Sequence, residues 1–267
     1  SNHENSFNNL NNYMFKTPYR LLNCNEFYNE IGCESKVYNG WLIPKFFFQN
    51  KLESKEINCI NHELALISNV GITDQSDLAK ISIVGKDVLT FLQNFLDLSD
   101  FNFREKSFFS FVFSKDDKFF DSLLVLKISS EYVLILLSAF SENEFYEYLL
   151  SKLSDSQEEL KCNIYLESDN FQIFSLVGSL ASDILRNKFN MNISQFLKKS
   201  ENNIYNFNYF GQDLLIFFQN QKTDIFSIMI NSINAEKFLR DIYSDIKAMK
   251  GGFIGREAFI QIKMDIG

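Results

Sequence analysis

Apolar and polar residues alternate along "KISIVG" (80–85) as they do on a half-buried strand, and Gly85 ends the run. Beyond it Val88, Leu89, Phe91, Leu92, Phe95 and Leu96 recur at helical spacing. The period returns to two in "FFSFVFS" (108–114), "SKDDKF" (114–119) supplies a polar turn, and "SLLVLKI" (122–128) follows. "YVLILL" (132–137) is continuously apolar, as suits a central strand covered on both faces. Ser141 with Glu144 three positions on predicts a capping box. Phe145, Tyr148, Leu149 and Leu153 then give a second helix its buried stripe. The order is strand, helix, strands, helix.

That order recurs. "ISIVGKDVLTFL" (81–92) and "FSLVGSLASDIL" (174–185) share one pattern, and Gly85 and Gly178 lie 93 positions apart (178 − 85). The same offset lays "VLILLSAFSENEFYEYLL" (133–150) over "FSIMINSINAEKFLRDIY" (226–243), while "DSLLVLKI" (121–128) matches "DLLIFFQN" (213–220) at 92. In the second copy Asn234 takes the cap position, and Phe238, Leu239, Ile242 and Ile246 repeat the stripe. The pattern predicts an α+β fold of two internally duplicated strand-helix-strands-helix units, packed by their sheets. The expected divisions are an N-terminal segment 1–63, a first unit 64–155, a second unit 156–249, and a closing turn 250–267.

Composition narrows the chemistry. Of 267 residues 46% are hydrophobic and 16% aromatic, including thirty phenylalanines, which is enough for a ring-rich core. A formal charge of −8 repels nucleic acid and anionic membranes, and no local basic patch offsets it. No run reaches the roughly eighteen uncharged apolar residues of a membrane helix. Cys24, Cys33, Cys59 and Cys162 are scattered, with only His3 and His62 beside them, so no metal site is expected. Reduced thiols in a cytoplasmic compartment are the expectation. The polar, Asn-rich start "SNHENSFNNLNNYMF" reads as a frayed N-terminus rather than a signal peptide.

Glycine is scarce, ten in all, yet Gly251, Gly252 and Gly255 crowd into "KGGFIGREAF" (250–259). Read locally, this is a tight turn of left-handed glycines before a last strand, with Arg256 and Glu257 either a solvated pair or facing a further domain. The segment resembles "KGDFIGREAL" of the glycine-cleavage T-protein family, tetrahydrofolate-dependent aminomethyltransferases. "KTPYRLL" (16–22), "GWLIP" (40–44) and "LALISNVGITDQSDLAKISIVG" (64–85) are similar to earlier blocks of the same family, in order. The resemblance implies the family's folate-binding fold and a hinge at 250–267 toward a C-terminal β-barrel that this chain lacks. It also implies folate and a lipoylated carrier protein as partners, with tetrahydrofolate accepting an aminomethyl group.

The resemblance assigns roles residue by residue. "SKDDKFFDSLLV" (114–125) matches the family's "NExGGIxDDLIV", so Asp121 falls on the carboxylate that steadies developing positive charge, with Ser122 in place of a second acid. "LSAFS" (137–141) matches "VNAAN" and puts Ser138 where an amide orients ligand. "NYFGQDLLIF" (208–217) matches "GYTGEDGVEI": Tyr209 and Asp213 are kept as folate-binding candidates, Gln212 replaces a Glu, and Ile216 replaces the Glu that would meet the pterin's donor edge. In "DQSDL" (74–78), matching "DxSHM", Leu78 keeps the apolar contact. A related branch, folate-binding proteins that support iron–sulfur enzymes, carries "KGCYxGQE", whose Cys is Gly252 here. Three readings stay open: a one-carbon transferase, a non-catalytic folate- or partner-binding relative, and a pseudoenzyme whose pocket has filled with Phe and Ile.

Overall fold

The computed structural model describes residues 19–49, 55–96, 108–115, 118–156, 159–193, 204–220 and 225–266. The polar start (1–15) and Asp117 of the polar turn lie outside them. The fold is mixed α+β. A small N-terminal sheet comes first, from β1 (Arg20–Leu21), β2 (Cys33–Tyr38) and β3 (Trp41–Phe47), ordered β1-β3-β2, with α1 (Asn25–Ile31) between β1 and β2. Asn39 and Gly40 join β2 to β3 with φ of 47° and 81°, the left-handed pair that lets a two-residue hairpin follow the strand twist.

After α2 (Glu56–Ala65) come β4 (Gly71–Asp74), β5 (Ala79–Gly85), α3 (Val88–Leu96), β6 (Phe108–Lys115), β7 (Lys118–Ser129), β8 (Tyr132–Leu137) and α4 (Glu142–Ser154). The chain continues through β9 (Cys162–Leu166), β10 (Phe171–Val177), α5 (Ala181–Phe189), β11 (Ile204–Tyr209), β12 (Gln212–Asn220), β13 (Ile225–Asn231) and α6 (Ala235–Ala248). It closes with β14 (Gly252–Phe253) and α7 (Arg256–Ile266).

Two larger sheets result, ordered β6-β7-β8-β5-β9 and β11-β12-β13-β10-β4-β14. Their registers correspond: Ile83 faces Val133 in the first and Leu176 faces Phe226 in the second, each pair 93 residues from the other. The outer strands shift. Leu124 faces Leu136 while Leu215 faces Met229, so β12 follows β7 at 91 residues (215 − 124) rather than the 92 expected. That moves Gln212, not Asp213, onto the place of Asp121. The strands that precede the two central strands are exchanged: β4 pairs with β10, and β9 with β5.

Four layers stack as helices, sheet, sheet, helices. Ile81, Ile83, Leu123, Val125 and Ile135 pack beneath Phe91, Leu92, Phe145 and Leu149 of α3 and α4. Phe174, Leu176, Ile216 and Ile228 pack beneath α5, α6 and the N-terminal segment. The inner faces meet through Leu126, Leu134, Leu136, Ile173, Phe217 and Met229. Burying one such side chain is worth about 1.5–3 kcal/mol, so these layers carry the fold.

Three local expectations change. Neither Ser141 nor Asn234 accepts a capping hydrogen bond, because a 3-10 turn (Ala139–Ser141, Ser232–Asn234) precedes each helix and moves the entry three residues upstream. The terminal glycines are not left-handed; Lys250 takes that role with φ 57°. Close approach explains them instead: a Cβ on Gly251 would sit 2.2 Å from Val70 O, and one on Gly255 2.4 Å from Lys45 O. The segment does form the last strand, two residues parallel to β4, and then continues as a helix. Arg256 is neither a solvated partner of Glu257 nor free, since it pairs with Asp77 at 2.5 Å while Glu257 accepts from Tyr38 Oη.

Candidate functional site

Asp121 sits on β7 opposite Phe113, where a bulge breaks the β6–β7 register. Ser138 directly follows β8, with extended backbone (φ −65°, ψ 141°) as the chain enters its 3-10 turn. Since β7 and β8 are neighbours, the two residues meet. Asp121 Oδ1 accepts from Ser122 N at 2.7 Å and Ser138 Oγ at 3.0 Å, and Oδ2 accepts from Ser138 N at 3.0 Å. The carboxylate is 4% exposed. A carboxylate offers about four acceptor positions, so three donors hold it firmly and leave about one for a further partner.

The other expected site residues lie elsewhere. Leu78 packs between the two large sheets. Tyr209 ends β11, its ring 5.5 Å edge-on to Phe238 and 5.9 Å from Phe189. Asp213 is exposed and accepts a long contact from Asn208 Nδ2 at 3.4 Å. Ile216 is fully buried among apolar side chains, so that position offers a pterin no polar partner. The geometry thus joins Asp121 to Ser138, puts Tyr209 and Asp213 on the two strands of one hairpin, and leaves Leu78 between the sheets.

Next to Tyr209 is a cavity of about 350 Å³. Ile230 and Phe238 form its apolar floor, and Gln212, Asn234, Lys237 and Asp241 its polar border. A hollow of about 510 Å³ lies on the other side of Tyr209 and Phe210, bordered by Lys188, Asp245 and Met249. Lys188 pairs with Asp241 at 2.9 Å and Asp245 at 2.6 Å. The side-chain oxygen of Gln212 is buried with no hydrogen-bond partner among the described residues.

A buried polar seam runs along "DQSDLAK" (74–80). Tyr28 Oη donates to Asp74 at 2.5 Å, and Ser76 N to Asp74 Oδ1 at 2.8 Å. Lys80 is fully buried and donates from Nζ to the carbonyls of Ser76 (2.9 Å) and Leu78 (2.8 Å). Burial pushes its amine down to about 8, against the pull of Asp77, Asp74 and Glu142 and with a push from Arg20. Glu63, also buried, accepts from Phe47 N and Gly255 N, and burial raises its carboxyl to about 8. Perturbed groups of this kind often mark active sites. Here only about 10 Å³ stays open beside Asp74 and Arg256, too little for a ligand, so Asp74 and Arg256 act as joints between segments. The sequence carried one clue to this seam, a lysine and two acids inside a strand–loop–strand run of otherwise buried residues. Among the described residues no group of three or more His, Cys, Asp or Glu could hold a metal, and no helix is long and apolar enough to cross a membrane. The four cysteines are free thiols.

The GCVT N-terminal domain family matches residues 24–206. Among curated proteins, an aminomethyltransferase of Lysinibacillus sphaericus (strain C3-41) is 25% identical over 181 residues, 66% of this chain and 46% of that protein. Another, of Caldanaerobacter subterraneus subsp. tengcongensis, is 28% identical over 172 residues, 64% of this chain and 42% of that protein. The chain spans about half the length of the curated relatives it matches. The solved structure of glycine cleavage system aminomethyltransferase T from Bartonella henselae superposes with a TM-score of 0.73 at 15% identity, over 90% of this chain and 60% of that one. That likeness is one of fold.

Proposed function

The chain belongs to the GCVT N-terminal domain family, and from that premise we propose that it is the folate-side part of an aminomethyltransferase-like protein, with Asp121 as its working carboxylate. The observation that carries the reading is the Asp121–Ser138 pair, a buried carboxylate fixed by three donors with about one acceptor position unused. As an aminomethyl group passes from a lipoylated carrier to tetrahydrofolate, positive charge develops at the transferred carbon and its nitrogen. A carboxylate held in place within a poorly solvated site stabilises that charge without reorganising. Ser138 positions Asp121, donating through both its amide and its hydroxyl. The four free thiols fit a cytoplasmic home for such a protein.

A second reading, a non-catalytic folate- or partner-binding relative, draws its support from Ile216. With an apolar, fully buried side chain at that place, a pterin's donors would find no carboxylate there, at a cost of about 1–3 kcal/mol. Calorimetric titration with tetrahydrofolate and its 5-formyl analogue separates the two. Micromolar binding that weakens at least tenfold in both Asp121→Ala and Asp121→Asn supports the first reading. Binding indifferent to both substitutions favours the second. No heat at millimolar ligand, from a chain with a cooperative unfolding transition, ends both.

A further inference from the structure

Strands β9 and β4 hold corresponding places: Ile164 faces Ile83 as Ile72 faces Leu176, and the two residues they face lie 93 positions apart (176 − 83). In the second sheet the outer side of β4 is covered, with Phe253 of β14 opposite Ile72 and Ile254 N donating to Ile72 O at 2.9 Å. In the first sheet β9 is the outermost strand among the described residues. Glu167 N donates to Lys80 O at 2.7 Å, and antiparallel pairing alternates, so Asn163 and Tyr165 turn their backbone groups toward β5. Ile164 and Leu166 therefore turn theirs outward, as does the Cys162 carbonyl.

Edge strands are usually guarded by a charge, a proline or a bulge. The β9 run "CNIYL" has neither charge nor proline, and its pairing with β5 runs without a register shift. Tyr165 is 49% exposed and Leu166 44%. The other edge of the same sheet is guarded, because β6 carries a bulge at Phe113–Ser114. Charges begin just outside β9, with an exposed Lys161 before it and a half-buried Glu167 after it, each three residues from Ile164. A strand with that symmetry is its own complement. Laid antiparallel on a second copy with Ile164 opposite Ile164, it sets Lys161 against Glu167 at both ends and Asn163 against Tyr165 between them. The same register makes the outward residues the hydrogen-bonded ones: the two Ile164 residues exchange both bonds, and Leu166 N of each copy meets the Cys162 carbonyl of the other.

We propose that β9 pairs with β9 of a second copy of this chain, antiparallel and centred on Ile164, joining two five-stranded sheets into one across a two-fold axis. One short strand pair buries less than a standard interface, so the dimer is weak and forms at high micromolar concentration. The formal charge of −8 on each copy opposes association at low salt, and about 0.3 M salt screens most of that long-range repulsion. The pairing does not rest on the folate reading, since β8 and β5 separate β9 from Asp121 on β7.

The test is sedimentation equilibrium of the chain from about 10 µM to about 1 mM, in about 0.3 M salt. Wild type is expected to pass from monomer to dimer over that range. Asn163→Lys combined with Tyr165→Lys changes two exposed side chains and sets lysine against lysine across the pairing. That variant should stay monomeric with a nearly unchanged urea midpoint. Lys161→Glu alone and Glu167→Lys alone should each weaken the dimer roughly fivefold to tenfold, since each puts like charges together at both ends. Mixed in equal amounts, those two variants should pair with each other about as tightly as wild type pairs with itself, because every end again joins a lysine and a glutamate. Only this register gives that rescue. Glu167 also accepts from Ser82 Oγ, so if Glu167→Lys fails to fold, the variant with two lysines decides alone. A monomer at about 1 mM, a dimer untouched by the two lysines, or a mixture no tighter than either variant by itself overturns the proposal.

Discussion

The two large sheets put different chemistry at corresponding places. Asp121 faces Phe113 across one hairpin, and Gln212 faces Tyr209 across the other. Behind Asp121, the rings of Phe95, Phe113, Phe120, Phe145 and Tyr148 close on one another, with Phe95 and Tyr148 5.2 Å apart. Ninety-three residues on, Phe95 corresponds to Lys188 and Tyr148 to Asp241, which form an ion pair at 2.9 Å. Replacing a ring pair with a thinner ion pair removes volume, and the second sheet has an open hollow there, bordered by both Lys188 and Asp241. One side is packed around a carboxylate held by three donors; the other is open around an amide oxygen with none among the described residues. The same frame thus supports either a dry core or a cavity, and two pairs of side chains decide which.

The largest expected effect tests that contrast directly. Phe113→Ala removes a buried ring that touches four others and should cost about 3–5 kcal/mol in urea unfolding. Tyr209→Ala removes the corresponding half-buried ring beside the cavity and should cost only about 1–2 kcal/mol. Equal costs would mean that the two places are packed alike and would break the comparison.

What the sequence made legible follows from how each feature is encoded. Strand and helix periods are local, so "YVLILL" and the stripe from Phe145 to Leu153 led to β8 and α4. The 93-residue offset was readable because Gly85 and Gly178 anchor it. A Cβ at either would strike backbone, 2.1 Å from Lys161 O and 2.7 Å from Ile67 O respectively. The shift to 91 between β7 and β12 was not readable, since both runs begin with an acid and then apolar residues, and only hydrogen-bond register tells 91 from 92. Asp121 and Ser138 emerged from the family pattern, whereas their contact depends on strand adjacency. The exchange of β4 and β9 depends on partners far apart in the sequence, Phe174 with Asp74 and Ile81 with Leu166, which no local pattern shows. "YNGW" (38–41) is the opposite case, a strong hairpin signal that local reading could have used for β2–β3.

A second prediction concerns the seam between the sheets, where Lys80 stands in β5 and its counterpart 93 residues on is Ile173. Burial holds the Lys80 amine at about 8 in the folded chain, below the ordinary value of 10.5 it regains on unfolding. Between those values the unfolded chain binds the extra proton, so stability should rise as pH climbs from about 8 to about 10.5. The full rise is on the order of 3 kcal/mol. Lys80→Met should abolish it, seen as the difference between wild-type and variant urea profiles across that window. Parallel profiles would show that the seam tolerates the charge as readily as the second sheet tolerates Ile173.

The smallest effect separates two uses of one backbone place. Ser138 and Asn231 both precede a 3-10 turn with extended backbone, φ −65° and −60°. Asn231 uses its side chain as a cap, its Oδ1 accepting from Ile233 N at 3.0 Å. Ser138 instead donates its hydroxyl to Asp121, leaving the turn without a side-chain cap. Asn231→Ala should cost about 1 kcal/mol, while Asn231→Ser should stay within a few tenths because serine caps nearly as well. At Ser138 the ranking differs: Ser138→Ala should cost more than Asn231→Ala, about 1.5–3 kcal/mol, because it deprives a buried carboxylate of a donor. Thermal unfolding of the three variants decides it. If the two alanine variants lose equally, the Ser138 hydroxyl adds nothing beyond an ordinary surface hydrogen bond, and the carboxylate owes its position to Ser122 N and Ser138 N alone.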